Sequence, residues 1–212
     1  MRHCLRLLLQ VVVLIGFGSA HADAYVDFFR ALQIDNSGVV AEWLMRGFDP
    51  NARDEKGQPA LVLAMREEAF KSAELLLTQA QLDVDAANPF KETALMMAAL
   101  KGHPDWCRRL IERGARIDRE GWTPLHYAAT GPQPEVVALL LERSAAVDAR
   151  APNGNTPLMM AALYGKEESV RLLLSHGADP TLRNRQQRTA AEMARAAGRD
   201  FLVPALERMV RR

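Results

Sequence analysis

Residues 121–148 read GWTPLHYAATGPQPEVVALLLERSAAVD, and residues 154–180 read GNTPLMMAALYGKEESVRLLLSHGADP. Laid over each other, the two stretches share a Thr-Pro-Leu start, an Ala-Ala pair, a polar turn and a leucine triplet in the same order. The pattern recurs upstream in KETALMMAALKGHPDWCRRLIERGARID at 91–118 and, more worn, in GQPALVLAMREEAFKSAELLLTQAQLDVD at 57–85. Its anchor positions are Pro59, Thr93, Thr123, Thr156 and Thr189, so the successive steps are 34, 30, 33 and 33 residues. Self-similarity at such a period implies a stack of like units, each burying its apolar face against the next.

Each position in the period has a physical task. Thr123 and Thr156 can cap a helix start through the side-chain oxygen, and Pro124 and Pro157 follow at the first helical position, where the missing N–H costs nothing. Ala98-Ala99, Ala128-Ala129 and Ala161-Ala162 are small residues that let neighbouring helices approach closely. Gly102 and Gly165 are expected to end this first helix in a left-handed conformation. A second helix then carries Leu75-Leu76-Leu77, Leu139-Leu140-Leu141 and Leu172-Leu173-Leu174, with Gly114 and Gly177 closing two of its copies. The expected fold class is all-α, a solenoid of helix-turn-helix units.

The 33-residue period and the Thr-Pro-Leu-His start at 123–126 resemble the ankyrin repeat family, whose unit is two antiparallel helices and a projecting β-turn finger. The resemblance spans nearly all of residues 23–212. It implies about six repeats, over 24–53, 54–90, 91–120, 121–150, 151–183 and 184–212. Departures are local. Only Ile117 to Gly121 join the third copy to the fourth, so one finger is clipped. Ser144 stands for a closing glycine, Gly131-Pro132-Gln133-Pro134 replaces a helix-to-helix turn, and Glu67-Glu68 occupies a glycine position.

Composition bounds the function. With 49% hydrophobic and 25% charged residues the chain is neither disordered nor collagen-like nor a coiled coil. A net charge of +1 gives no field that would call for nucleic acid, and two cysteines provide neither a disulfide framework nor a zinc cluster. Residues 1–22, MRHCLRLLLQVVVLIGFGSAHA, combine a basic start, an apolar middle and an Ala-His-Ala end, the pattern of a secretory signal peptide cut between Ala22 and Asp23. The 14 residues between Arg6 and His21 are too few for a spanning helix. Cleavage leaves 25 bases against 26 acids and one cysteine, Cys107, so no internal disulfide can form. No Asn-x-Ser/Thr sequon occurs, and a bacterial periplasm is the expected destination. The whole pattern also looks like that of bacterial exported ankyrin proteins, which implies a role as partner, stabiliser or inhibitor of another exported protein.

The chemistry-bearing residues are few. His126 belongs to the repeat motif, and the resemblance implies that it hydrogen-bonds backbone of the adjoining unit. His103 and His176 lie at turns without metal-ligand spacing, and Cys107 aligns with the inward positions Val137 and Val170. No phosphate loop, nucleophile elbow or zinc-protease motif occurs, so no enzyme, cofactor, catalytic residue or metal site is expected. A hydrolase or redox protein using His126 or Cys107 is the rival from another class. The expected partner-binding strip lies on the concave face: Leu63, Met97, Tyr127 and Met160 in one row, Leu100, Lys101, Leu163 and Tyr164 one turn on, and Phe90 and Trp122 in the fingers. From Thr181 onward eight arginines face three acids, a basic end that would suit peripheral membrane contact or an acidic protein. The expectation is a monomeric, non-catalytic module that binds an unidentified protein partner, with no nucleic acid and membrane contact no more than peripheral.

Overall fold

The computed structural model describes residues 24–208; the leader at 1–22 and the cleavage point Ala22-Asp23 lie outside the described residues. The chain forms two compact units divided after Leu82. Helices make up both, and the only β pairing among the described residues is an isolated bridge between Arg53 and Pro59. No helix among these residues is long and apolar enough to cross a membrane.

The first unit holds α1 (24–33), α2 (Ser37–Met45), α3 (Ala60–Arg66) and α4 (Phe70–Leu77). Phe28 stacks on Phe48 with ring centroids 4.2 Å apart, and Phe29 meets Phe28 edge-on at 5.3 Å. Asp35, in the turn between α1 and α2, takes a positive φ of 52°. Its carboxylate accepts the Ser72 N–H at 2.8 Å and the Ser72 hydroxyl at 2.9 Å. The start of α4 is thus capped by a residue 37 positions upstream, which explains why Ala69 offers no cap of its own.

The second unit holds α5 (Ala94–Lys101), α6 (Pro104–Glu112), α7 (Pro124–Thr130), α8 (Pro134–Glu142), α9 (Pro157–Tyr164), α10 (Glu167–Ser175), α11 (Ala190–Ala196) and α12 (Val203–Arg208), with a 3₁₀ turn at Asp200–Leu202. Helices α5, α7, α9 and α11 pack side by side, with α6, α8 and α10 behind them. The Ala-Ala pairs lie inside this packing, as do Leu95, Met96, Leu110, Leu125, Leu140, Leu158, Met159 and Leu173. The leucine triplets therefore bury their middle member outright, as the stripe requires.

Capping follows the threonines. The hydroxyl oxygens of Thr93, Thr156 and Thr189 accept backbone N–H groups three residues on, at 3.4, 3.4 and 3.3 Å. At Thr189 the box is reciprocal, since the Glu192 carboxylate accepts the Thr189 N–H at 2.7 Å. Pro59, the worn anchor, makes no side-chain cap. Between repeats, Asp85 accepts the Arg116 N–H, Asp118 the Ala146 N–H and Asp148 the Asp179 N–H, at 3.0, 3.1 and 3.1 Å. This aspartate ladder ties each connection to the next.

The glycine expectation needs one correction. Gly102 does end α5 left-handed, at φ 78°, but Gly165 ends α9 in extended backbone at φ −79°, ψ 179°. Gly165 is there for space: a Cβ would stand 2.0 Å from the Ala129 carbonyl oxygen and 2.9 Å from the Ala161 Cα. The carbonyls at this helix end are satisfied by Arg199, whose guanidinium donates to the Ala161, Ala162 and Gly165 oxygens at 2.9, 2.9 and 2.5 Å.

Candidate protein-binding groove

In the second unit the first helices and the connection ahead of α7 enclose an apolar cleft of about 190 Å³ lined by Leu100, Trp122, His126, Tyr127, Thr130 and Met160. Trp122 is placed by the clipped finger. Its ring stands edge-on to His126 at 5.3 Å and to Tyr127 at 6.4 Å. The Tyr127 hydroxyl donates to Glu92 at 3.0 Å, which orients the ring while leaving it half-buried.

His126 is the fixed wall of this cleft. Its Nδ1 accepts the Thr123 N–H at 3.2 Å, so Nε2 carries the proton and donates to the Asn155 carbonyl at 3.0 Å in the next repeat. Burial pushes its pKa below the ordinary 6.5, with the bond to Asn155 acting in the opposite direction. Both ring nitrogens are engaged and the residue is buried, so His126 is framework. Cys107 is likewise fully buried, and burial pushes its thiol up to about 12, against a smaller opposite effect of Arg108. Neither residue presents a reactive atom to a substrate.

The expected strip is divided by the structure. Leu100, Trp122, Tyr127 and Met160 come together in the cleft. Leu63 and Met97 are corrected to core: they are 3% and 4% exposed, because α3 is buried from Ala60 to Met65 and α5 from Ala94 to Ala99. Outside the cleft, Tyr164 is 65% exposed and Phe90, on its own finger, 76% exposed. Lys101 is exposed and Leu163 is half-buried.

A second concavity, of about 600 Å³, takes Arg183 and Arg185 of the expected basic end and joins them to Arg150, which the sequence reading did not single out; Glu120, Gly121 and Gly154 complete this part of the lining. Its signal was nonetheless present, since Arg150 and Arg183 stand 33 residues apart, one period.

A stack of helix pairs with an open apolar cleft along its first helices defines the class of protein-interaction scaffolds. Family comparison identifies which one: models described as "Ankyrin repeats (3 copies)" match residues 28–120, 73–151 and 117–184, and the chain belongs to the ankyrin repeat family. It is 35% identical over 111 residues to mouse (Mus musculus) ankyrin repeat and SAM domain-containing protein 6, covering 50% of this chain and 13% of that one. It is 33% identical over 157 residues to the mouse B-cell lymphoma 3 protein homolog, covering 71% of this chain and 35% of that protein. The chain thus spans only a minor part of these curated relatives. Among solved structures it superposes with TM-score 0.74 and 25% identity on a chain of the complex between the Bd0816 predatory endopeptidase of Bdellovibrio bacteriovorus and immunity protein Bd3460, covering 86% of this chain and 97% of that one. The human ASB11 ankyrin repeat domain superposes with TM-score 0.71 at 26% identity, covering 84% and 81%. Ankyrin repeats are modules that bind protein partners.

Proposed function

We propose that this chain is an exported, non-catalytic protein-binding module of a bacterial periplasm that stabilises or inhibits another exported protein. The observation that carries the binding role is the open apolar cleft between Leu100, Trp122, Tyr127 and Met160, a shape that takes an apolar side chain from a partner. Aromatic walls contribute contact area at low entropic cost, since a tyrosine or tryptophan has only two side-chain torsions to fix. Export rests on the leader pattern of residues 1–22. The likeness to a chain in an endopeptidase–immunity protein complex supports a partner of the peptidase class and a protective or inhibitory role.

The test is capture from periplasmic extract by the tagged mature chain, followed by identification of what co-purifies. Replacing Tyr127 and Tyr164 together by Ser should abolish recovery while the far-ultraviolet circular dichroism spectrum stays that of the parent. Anchors at the centre of an interface contribute about 2 kcal/mol or more each, roughly a thirtyfold change in affinity. Undiminished capture by a folded double variant overturns the groove as the binding face.

A further inference from the structure

The guanidinium-lined concavity beside the apolar cleft has a feature that a merely solvated charged face lacks: two of its three arginines, Arg150 and Arg183, are positioned by backbone carbonyls, and only Arg183 is paired with a carboxylate, Arg150 acting on Asp148 through its field without an ion pair. Arg150 donates through Nη1 to the Arg183 carbonyl at 3.0 Å, and Arg183 donates in turn to the Gln187 carbonyl. Arg183 also shares Glu192 at 3.2 Å. Arg150 and Arg185 enter no ion pair among the described residues, and Glu120 is the one carboxylate in the lining. A carbonyl orients a guanidinium without cancelling its charge, so the remaining N–H donors of the fork stay available to an oncoming anion.

The floor is equally prepared. A Cβ on Gly154 would stand 2.9 Å from the Arg185 backbone nitrogen and 3.2 Å from the Asn184 Cα, so successive fingers meet backbone to backbone there. The Arg185 N–H donates to the Asn153 carbonyl at 3.1 Å, and the Asn184 side chain donates to the Asn155 side-chain oxygen at 2.8 Å. The floor of the concavity is therefore held by backbone contacts between fingers, while the Arg185 side chain above it is exposed. A backbone fixed in this way lowers part of the ordering cost of binding. The concavity also adjoins the apolar cleft in the chain, because Glu120 and Gly121 line one and Trp122 the other.

We propose that Arg150, Arg183 and Arg185 form a recognition site for the carboxylates of an extended acidic segment of the protein partner, whose apolar side chain enters the neighbouring Trp122–Tyr127 cleft. This rests on the reading of that cleft as a partner surface and adds the partner's chemistry: an apolar anchor followed by clustered Asp or Glu. Planar guanidinium forks match carboxylates in pairs, and a concave site suits a chain segment better than it suits a flat bilayer.

The experiment uses the mature chain and a fluorescein-labelled peptide of one leucine followed by four glutamates, read by anisotropy, with glutamine and lysine versions as controls. Arg185→Glu is the principal variant, because the Arg185 side chain makes none of the hydrogen bonds that hold the finger; Arg150→Glu is the second. Expected are saturable binding of the glutamate peptide that weakens with added salt, at least tenfold weaker binding of the glutamine peptide, and at least tenfold weaker binding by Arg185→Glu with an unchanged melting temperature. Equal affinity for the glutamate and glutamine peptides, abolished by Leu100→Asp but not by Arg185→Glu, overturns the acidic-segment proposal and leaves the groove reading standing. Failure of the glutamate peptide to bind at millimolar concentration overturns it as well. So does binding to phosphatidylglycerol vesicles that Arg185→Glu removes while the peptide does not bind, an outcome that would assign the arginines to a membrane surface.

Discussion

At the residue scale, His126 shows how one side chain joins two repeats. Its neutral ring accepts from the Thr123 N–H and donates to the Asn155 carbonyl, which closes the start of α7 and ties it to the following unit. Its pKa is lowered on folding, so the unfolded chain takes up the proton first as pH falls. The stability held by the neutral ring is fully present above the ordinary value of 6.5 and is lost as pH drops through the lower folded value. Melting temperatures measured between about pH 8 and pH 5 should therefore decline on the acid side. His126→Gln should flatten that decline and lower stability by about 1–3 kcal/mol at neutral pH, because a buried partner is left unsatisfied. Cys107 gives a sharper readout. With its thiol buried and its pKa raised to about 12, it should react with an aromatic disulfide reagent only as fast as the chain opens, and at once in denaturant. Rapid reaction of the native protein would contradict the core placement. The core role of both residues was legible from their position in the repeat, since a motif histidine beside a capping threonine and a cysteine in register with valines are local facts.

Elements end in this protein for two different reasons that look alike in the sequence. Gly114 closes α6 at φ 101° with nothing within 4 Å of where a Cβ would stand, so its requirement is torsional alone. Gly165 has ordinary backbone, and its requirement is the 2.0 Å that a Cβ would leave to the Ala129 oxygen. Gly114→Ala should cost about 1–2 kcal/mol, the left-handed penalty of an L-residue, whereas Gly165→Ala has to push α7 and α9 apart and should lower the melting temperature far more. Ser144 carries that torsional penalty already, at φ 65°, so Ser144→Gly should raise stability by about 1 kcal/mol in chemical denaturation. Leu140→Ala, which empties a fully buried position in α8, should cost about 2–5 kcal/mol; a variant melting like the parent would mean that the stripe is misplaced. Capping threonines, leading prolines and leucine triplets could be placed from sequence because each acts within a turn or two of helix. The remote cap of α4 by Asp35 could not, since it needs two segments 37 residues apart to be brought together.

At the scale of the whole molecule, the leader pattern predicts that the exported protein begins at Asp23, and N-terminal sequencing of material from the periplasmic fraction should read Asp-Ala-Tyr-Val; intact Met1 on membrane-embedded protein would sink the export reading. The period and the helix-pair unit were both readable in the chain, because repetition, capping and amphipathic stripes are properties of order along a sequence. Exposure was not. Met97 and Tyr127 occupy equivalent places in the repeat, yet one is 4% exposed and the other lines an open cleft, because burial depends on what packs against each residue and not on its place in the period. The basic end was legible, but the place of Arg150 beside Arg183 and Arg185 was hidden for the same reason. Arg150 comes from one finger and Arg183 and Arg185 from the next, and they became one charged site because stacking sets residues a full period apart side by side, while carbonyl contacts hold the Arg150 and Arg183 guanidinium groups and only Arg183 shares a carboxylate.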